Sequence, residues 1–175
     1  MKTFRDFLFD IHDIIDLEES SLSRIKSKSD KKGIATLSAD RGNKSRKENQ
    51  KRSQQLQKDI RSRFGRGPTK LKGSYMEKDE KTGKERKVKE KSYAIDRGKM
   101  SKRKFKKEVK KLGRKYGQDS VLTQTKKTGT LHATRKKGLG PKTKGAGVGK
   151  FSPQKKNPQG QSQIKGKTGT LHATR

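Results

Sequence analysis

Apolar side chains are too scarce in this sequence for a large core. Leu, Ile, Val and Phe together supply 29 of 175 residues, against 50 Lys and Arg. That share lies below about one-fifth, the level at which charged chains usually fail to bury enough surface to offset chain entropy. One small folded domain with polar flanks is therefore expected. The formal charge of +32 makes polyanions the expected partners. With no Cys there is no disulfide framework and no thiolate metal site, and His12, His132 and His172 are the only imidazoles. No metal or other cofactor is expected. No apolar run approaches the roughly 18 residues that span a bilayer, and the N-terminus carries too many Asp residues for a secretory signal, so no membrane partner is expected.

Residues 1–19 stand apart from the rest, with two basic and six acidic side chains and a local charge of −4, against +36 for the remainder. Phe4, Phe7, Leu8, Ile11, Ile14 and Ile15 recur at three- and four-residue steps, which predicts an amphipathic helix needing a protein groove. Residues 20–33 read as a linker. Residues 34–125 read as the folded unit: a strand at Ile34–Leu37, a helix capped by Ser45 and ending near Phe64, and a hairpin of Lys70–Met76 with Lys87–Ile95. A helix from Ser101 to Tyr116 and a strand within Gln118–Gln124 complete it. The fold class is α+β, one small domain of approximate order β-α-β-β-α-β. Tyr75, Val88, Tyr93 and Ile95 are its buried candidates on the hairpin. Residues 126–175, with no acidic side chain, read as a basic, Gly-rich and disordered C-terminal tail. That tail holds KTGTLHATR twice, at Lys127–Arg135 and Lys167–Arg175, either a duplicated binding segment or a duplication without function.

The Ser101 helix spaces Phe105, Val109, Leu112 and Tyr116 along one stripe and surrounds them with Lys102, Arg103, Lys104, Lys106, Lys107, Lys110, Lys111, Arg114 and Lys115. Docking the stripe on a sheet would leave a ridge of cations able to meet several phosphates, and the plainer reading is a solvated face. Lys126, Lys127, Arg135, Lys136, Lys137 and Lys150 extend the candidate nucleic-acid surface, with DNA favoured over RNA. GAGVGK at Gly145–Lys150 is not a phosphate-binding loop, because Lys144 stands where the first Gly belongs and Phe151 where Ser or Thr would hold magnesium. His132 and His172, in identical TLHATR contexts, read as phosphate or solvent contacts. An enzyme reading rests on Glu77 and Glu90 of the hairpin, which could hold a divalent ion against a phosphodiester; local charge pairing is the simpler explanation.

The opening MKTF-x-x-F and the acidic helix ending in Leu17-Glu18-Glu19 resemble the capsid-targeting propeptides of internal head proteins of T-even-like tailed bacteriophages. The resemblance covers nineteen residues and implies a cut between Glu19 and Ser20 by the phage maturation protease. It also implies docking of residues 1–19 on the prohead scaffold, then packaging in the virion interior after assembly in the host cytoplasm. In the middle of the chain Gly73-Ser74-Tyr75, Glu90-Lys91-Ser92-Tyr93 and Tyr116-Gly117-Gln118-Asp119-Ser120-Val121 resemble a small domain family of unknown function in phages and bacteria. There Glu90, Ser92 and Gln118 would be the polar residues of any pocket. Together these readings predict a non-enzymatic internal virion protein that binds DNA non-specifically. The alternatives are a nucleic-acid binder that docks a protein partner through residues 1–19 and, third, a metal-dependent nucleic-acid enzyme.

Overall fold

The computed structural model describes residues 24–78, 84–135, 145–149 and 160–163. Helix α1 (24–31) leads into β1 (Ile34–Ser38), α2 (Arg46–Phe64), β2 (Thr69–Lys78) and β3 (Glu85–Asp96). Helix α3 (Lys102–Lys115), β4 (Ser120–Gln124), β5 (Gly129–Ala133), β6 (Gly145–Gly149) and β7 (Gly160–Gln163) follow. The strands form one seven-stranded sheet in the order β6-β5-β4-β1-β3-β2-β7, and every pair is antiparallel. The α+β class and the β-α-β-β-α-β order hold. The central order β4-β1-β3-β2, with α2 after β1 and α3 after β3, is the split β-α-β arrangement of ferredoxin-like domains.

Both main helices form where their caps and stripes put them. Ser45 accepts from the Glu48 amide while the Glu48 carboxylate accepts from the Ser45 amide, a reciprocal cap that satisfies two orphan donors of α2. Gly65, at φ 67, ends that helix. Ser101 caps α3 through the Lys104 amide. At its other end Gly117, at φ 73, lets the Gly117 and Gln118 amides turn back onto the Arg114 and Gly113 carbonyls. Leu56, Ile60 and Phe64 of α2 and Phe105, Val109 and Leu112 of α3 pack with Ala35, Leu37, Tyr93, Ile95 and Val121 into the main core. Phe64 meets Phe105 edge-on at 5.6 Å between ring centres. Of the hairpin candidates, Tyr93 and Ile95 are buried, while the side chains of Tyr75 and Val88 lie outside the described ones.

Two segments depart from the sequence reading. Part of the expected linker 20–33 is α1, whose Ile25 packs with Ile34, Leu71 and Ala94 in a second small cluster. One apolar residue anchors this helix, so it carries no stripe. Parts of the expected tail join the sheet: β5 pairs with β4, β6 with β5, and β7 with β2. Ladder bonds need only backbone groups, so GAGVG and GQSQ pair without an apolar signature. The acidic leader, with Leu17, Glu18, Glu19 and Ser20, lies outside the described residues, as does the second KTGTLHATR. Among the described residues no helix is long and apolar enough to cross a membrane.

Candidate active site

Strand register sorts the side chains onto two faces. Ala35, Leu37, Tyr93, Ile95 and Val121 face α2 and α3. The alternate set faces away. On β1 it comprises Ile34, Thr36 and Ser38, opposite Asp96, Ala94 and Ser92 of β3; on β2 it includes Leu71 and Gly73, opposite Ser92 and Glu90. Helix α1 covers the Ile34–Leu71–Ala94 end of this face. Beyond it the residues turn small and polar: Ser38, Ser92, Gly73 and Glu90.

Gly73 is required there by space. A Cβ at this position would sit 2.7 Å from Ser92 Oγ and 3.6 Å from Glu90 Cγ, so glycine lets the Ser92 hydroxyl and the half-buried Glu90 side chain close over the β2 backbone. Next to them the end of β1 is fixed by side chains. The Ser38 amide donates to Gln118 Oε1 at 3.1 Å, and Ser38 Oγ donates to the Lys91 carbonyl at 2.8 Å. Asp40 accepts from the Lys91 amide at 2.9 Å and from Ser53 Oγ at 3.1 Å. Two of the three polar residues named from the motifs, Ser92 and Gln118, thus meet around Ser38, and Glu90 stands two residues from Ser92 on the same face. Ser38 and Asp40 escape sequence reasoning, because IATLSAD carries no chemical motif.

The loop that delivers Gln118 is held by cations. Arg41 donates to the Gly117 carbonyl at 2.7 Å and Arg52 to the Tyr116 carbonyl at 2.6 Å; Arg135 also donates to the Gly117 carbonyl. Three guanidinium groups therefore meet the negative end of the α3 dipole. Below this loop Tyr116 donates to Asp59 at 2.8 Å, and Lys115 donates to the same carboxylate at 2.6 Å. Burial and the Asp59 carboxylate raise the Tyr116 hydroxyl above its ordinary range. Burial would raise Asp59, but the hydrogen bonds from Lys115, Tyr116 and Gln55 together hold it below the usual carboxylate value.

On the polar face the described carboxylates are Glu90 and Asp96. Asp96, with a side chain 8% exposed, is paired with Arg66 at 2.6 Å and Lys28 at 3.2 Å beside a recess of about water size. Of the metal pair expected, Glu77 and Glu90, the Glu77 side chain lies outside the described ones. Glu90 is registered with Gly73, and Glu77 lies four residues further along β2, roughly 13 Å away at strand rise. Among the described residues no cluster of three or more His, Asp or Glu could hold a metal ion.

The expected nucleic-acid residues fall elsewhere. Lys102, Arg103, Lys104, Lys106, Lys107, Lys111, Arg114 and Lys115 are exposed on α3, and Lys110 is half-buried. Lys111 and Lys115 are engaged by Glu108 and Asp59. The Glu108 carboxyl is lowered by its bond to Lys111 and, against some burial, by Arg63. Lys126 and Lys127 are exposed between β4 and β5, and Arg135 also contacts Asp119 at 3.4 Å. Lys136, Lys137 and Lys150 lie outside the described residues. His132 is spent inside the sheet, its Nε2 2.8 Å from Thr123 Oγ1, and burial together with Lys106 and Lys110 lowers its pKa.

An antiparallel α+β domain of this kind hosts many chemistries. Comparison with known families names one: the model of the S-adenosylmethionine lyase family matches residues 35–172. The chain belongs to the S-adenosylmethionine lyase family. No curated protein matches it. Membership in an enzyme family overturns the expectation of a non-enzymatic, DNA-binding internal virion protein. Net charge misled that reading, because it reports on solubility and association and not on chemistry.

Proposed function

We propose that this chain breaks a carbon–sulfur bond of S-adenosylmethionine without adding water, on the sheet face of Gly73, Glu90, Ser92 and Ser38. The observation that carries the reading is the family match, which spans all four residues and the Gln118 loop behind them. Charge supports the placement. S-adenosylmethionine bears a sulfonium and an ammonium, and a chain of formal charge +32 repels both unless a carboxylate is placed to receive them. Asp96 lies at the end of the face that α1 covers, where Lys28 of that helix meets it, and Glu90 lies beside Gly73 and Ser92 at the polar end.

The sulfonium needs little activation, since it leaves as a neutral thioether. The substrate's own carboxylate attacks the γ-carbon, the C–S bond breaks with its electron pair going to sulfur, and the products are 5′-methylthioadenosine and a five-membered lactone. No proton has to move and no water enters. The protein's part is to fold the amino-acid arm into the attacking geometry and to hold the cation, with Ser92 and the Gly73 backbone shaping the surface and Glu90 opposing the charge.

Chromatographic turnover of S-adenosylmethionine by purified chain tests this directly. Wild-type protein is expected to release methylthioadenosine, and Glu90→Gln to lose on the order of a hundredfold in kcat/KM, the scale of one preorganised electrostatic partner. Glu48→Gln, on the exposed first turn of α2, should leave turnover unchanged. Equal activity in Glu90→Gln would move the site elsewhere; an inert, folded wild-type chain would end the lyase reading.

A further inference from the structure

The nine-residue repeat becomes informative once its first copy is seen in place. Lys127–Arg135 and Lys167–Arg175 are identical. In the first copy Gly129 to Ala133 ladder against Gln124 to Ser120 of β4. His132 meets Thr123 Oγ1, and Ala133 and Thr134 are buried. The Thr134 amide donates to the Asp119 carbonyl at 2.9 Å, Thr134 Oγ1 donates to the Gln118 carbonyl, and Arg135 closes on Gly117 and Asp119. All the groups that seat β5 on β4 lie within the repeat, so the second copy carries the same set in the same order.

The second copy cannot reach that seat on its own chain while β7 is paired. Strand β7 sits at the opposite edge, five strand positions from β5, about 24 Å at the usual strand spacing. Gln163 is on the rung of Lys72 and Lys91, whereas the seat of Gly129 is on the rung of Gln124, Ile34 and Asp96, five residues further along β3. Gly169 is six residues beyond Gln163, a stretch that spans at most roughly 20 Å.

We infer that residues 167–175 are a spare β5 that pairs with β4 of a second copy of this chain, replacing that copy's own 127–135. The exchange conserves every β4–β5 contact, and what favours the resident strand is its short tether, the turn in which the Thr125 amide donates to the Thr128 carbonyl at 2.9 Å. The exchanged state is therefore populated where chains are crowded to about the millimolar concentration that such a tether provides. It links molecules by strand swapping, into closed rings or open chains. This inference is independent of the lyase reading.

Cysteine trapping tests it, since the natural chain has no Cys. Thr123 is registered with Thr130, whose counterpart in the second copy is Thr170. A Thr123→Cys chain and an isotope-labelled Thr170→Cys chain, mixed at about millimolar concentration and mildly oxidised, should give mixed disulfide dimers severalfold above the statistical share. Mixed dimers at or below that share overturn the inference. In a second arm Ala133→Glu, added to the Thr123→Cys chain, unseats the resident strand. It should raise the yield of the mixed disulfide at least tenfold and enlarge the species seen by light scattering, and adding Ala173→Glu to the Thr170→Cys chain should abolish both gains. Unchanged yield and size in Ala133→Glu would overturn it as well. Should Ala133→Glu fail to fold, the trapping in otherwise natural chains still decides.

Discussion

Gly113, buried in the middle of α3, shows how single residues set this domain's tolerances. A Cβ there would lie 2.5 Å from Val121 Cγ1 and 2.7 Å from Thr134 Cγ2, so glycine lets α3 approach these two side chains closely. Gly113→Ala gains about 1 kcal/mol of helix propensity and loses about 1–3 kcal/mol to overpacking against two branched side chains. Net destabilisation is the expected outcome of urea unfolding; a stabilised variant would mean that the hairpin gives way. His132 makes a second prediction. Its folded pKa lies below the unfolded value because burial and the Lys106 and Lys110 charges oppose protonation. The unfolded chain then binds the proton first, so His132 contributes stability that is complete above about pH 6.5 and declines as pH falls toward the folded pKa. Unfolding midpoints measured from pH 7.5 down to about 5 should fall more for the wild type than for His132→Asn, and parallel curves would remove His132 from the account.

At the scale of elements, the helices were readable where side chains declare both the start and the buried stripe. Ser45 with Glu48, then Leu56, Ile60 and Phe64, reads as a helix, and so does Ser101 with Phe105, Val109 and Leu112. Losing the α2 cap by Ser45→Ala should cost about 1 kcal/mol, seen as a lower denaturant midpoint with an unchanged slope; no shift would mean that water replaces the cap freely. The strands were readable when alternation or a turn marked them, as in β2 and β3. Helix α1 was missed because Ile25 alone seats it, and β5, β6 and β7 because glycine and small polar residues contribute backbone bonds without a hydrophobic period. The candidate site was legible only in fragments. Glu90, Ser92 and Gln118 stood in motifs, but Ser38, Asp40 and the steric need for Gly73 arise from register between strands far apart in sequence.

For the whole molecule, the dominant signal in the sequence, its positive charge, proved the least informative about chemistry. Among the described residues much of it is structural: Arg41, Arg52 and Arg135 close the end of α3, Arg66 and Lys28 neutralise Asp96, and Lys115 and Arg63 tie α3 to α2 through Asp59 and Glu108. Chemistry is indicated instead by the family to which residues 35–172 belong, and the proposed site is the small polar face on the other side of the sheet. The central claim is that S-adenosylmethionine is cleaved there without water. The most direct measurement is mass spectrometry of the products formed in ¹⁸O-labelled water. The account predicts methylthioadenosine together with an amino-acid product whose γ-oxygen comes from the substrate's own carboxylate and carries no label, even after the lactone ring opens at its carbonyl. Label on the γ-oxygen would make the reaction a hydrolysis and contradict it.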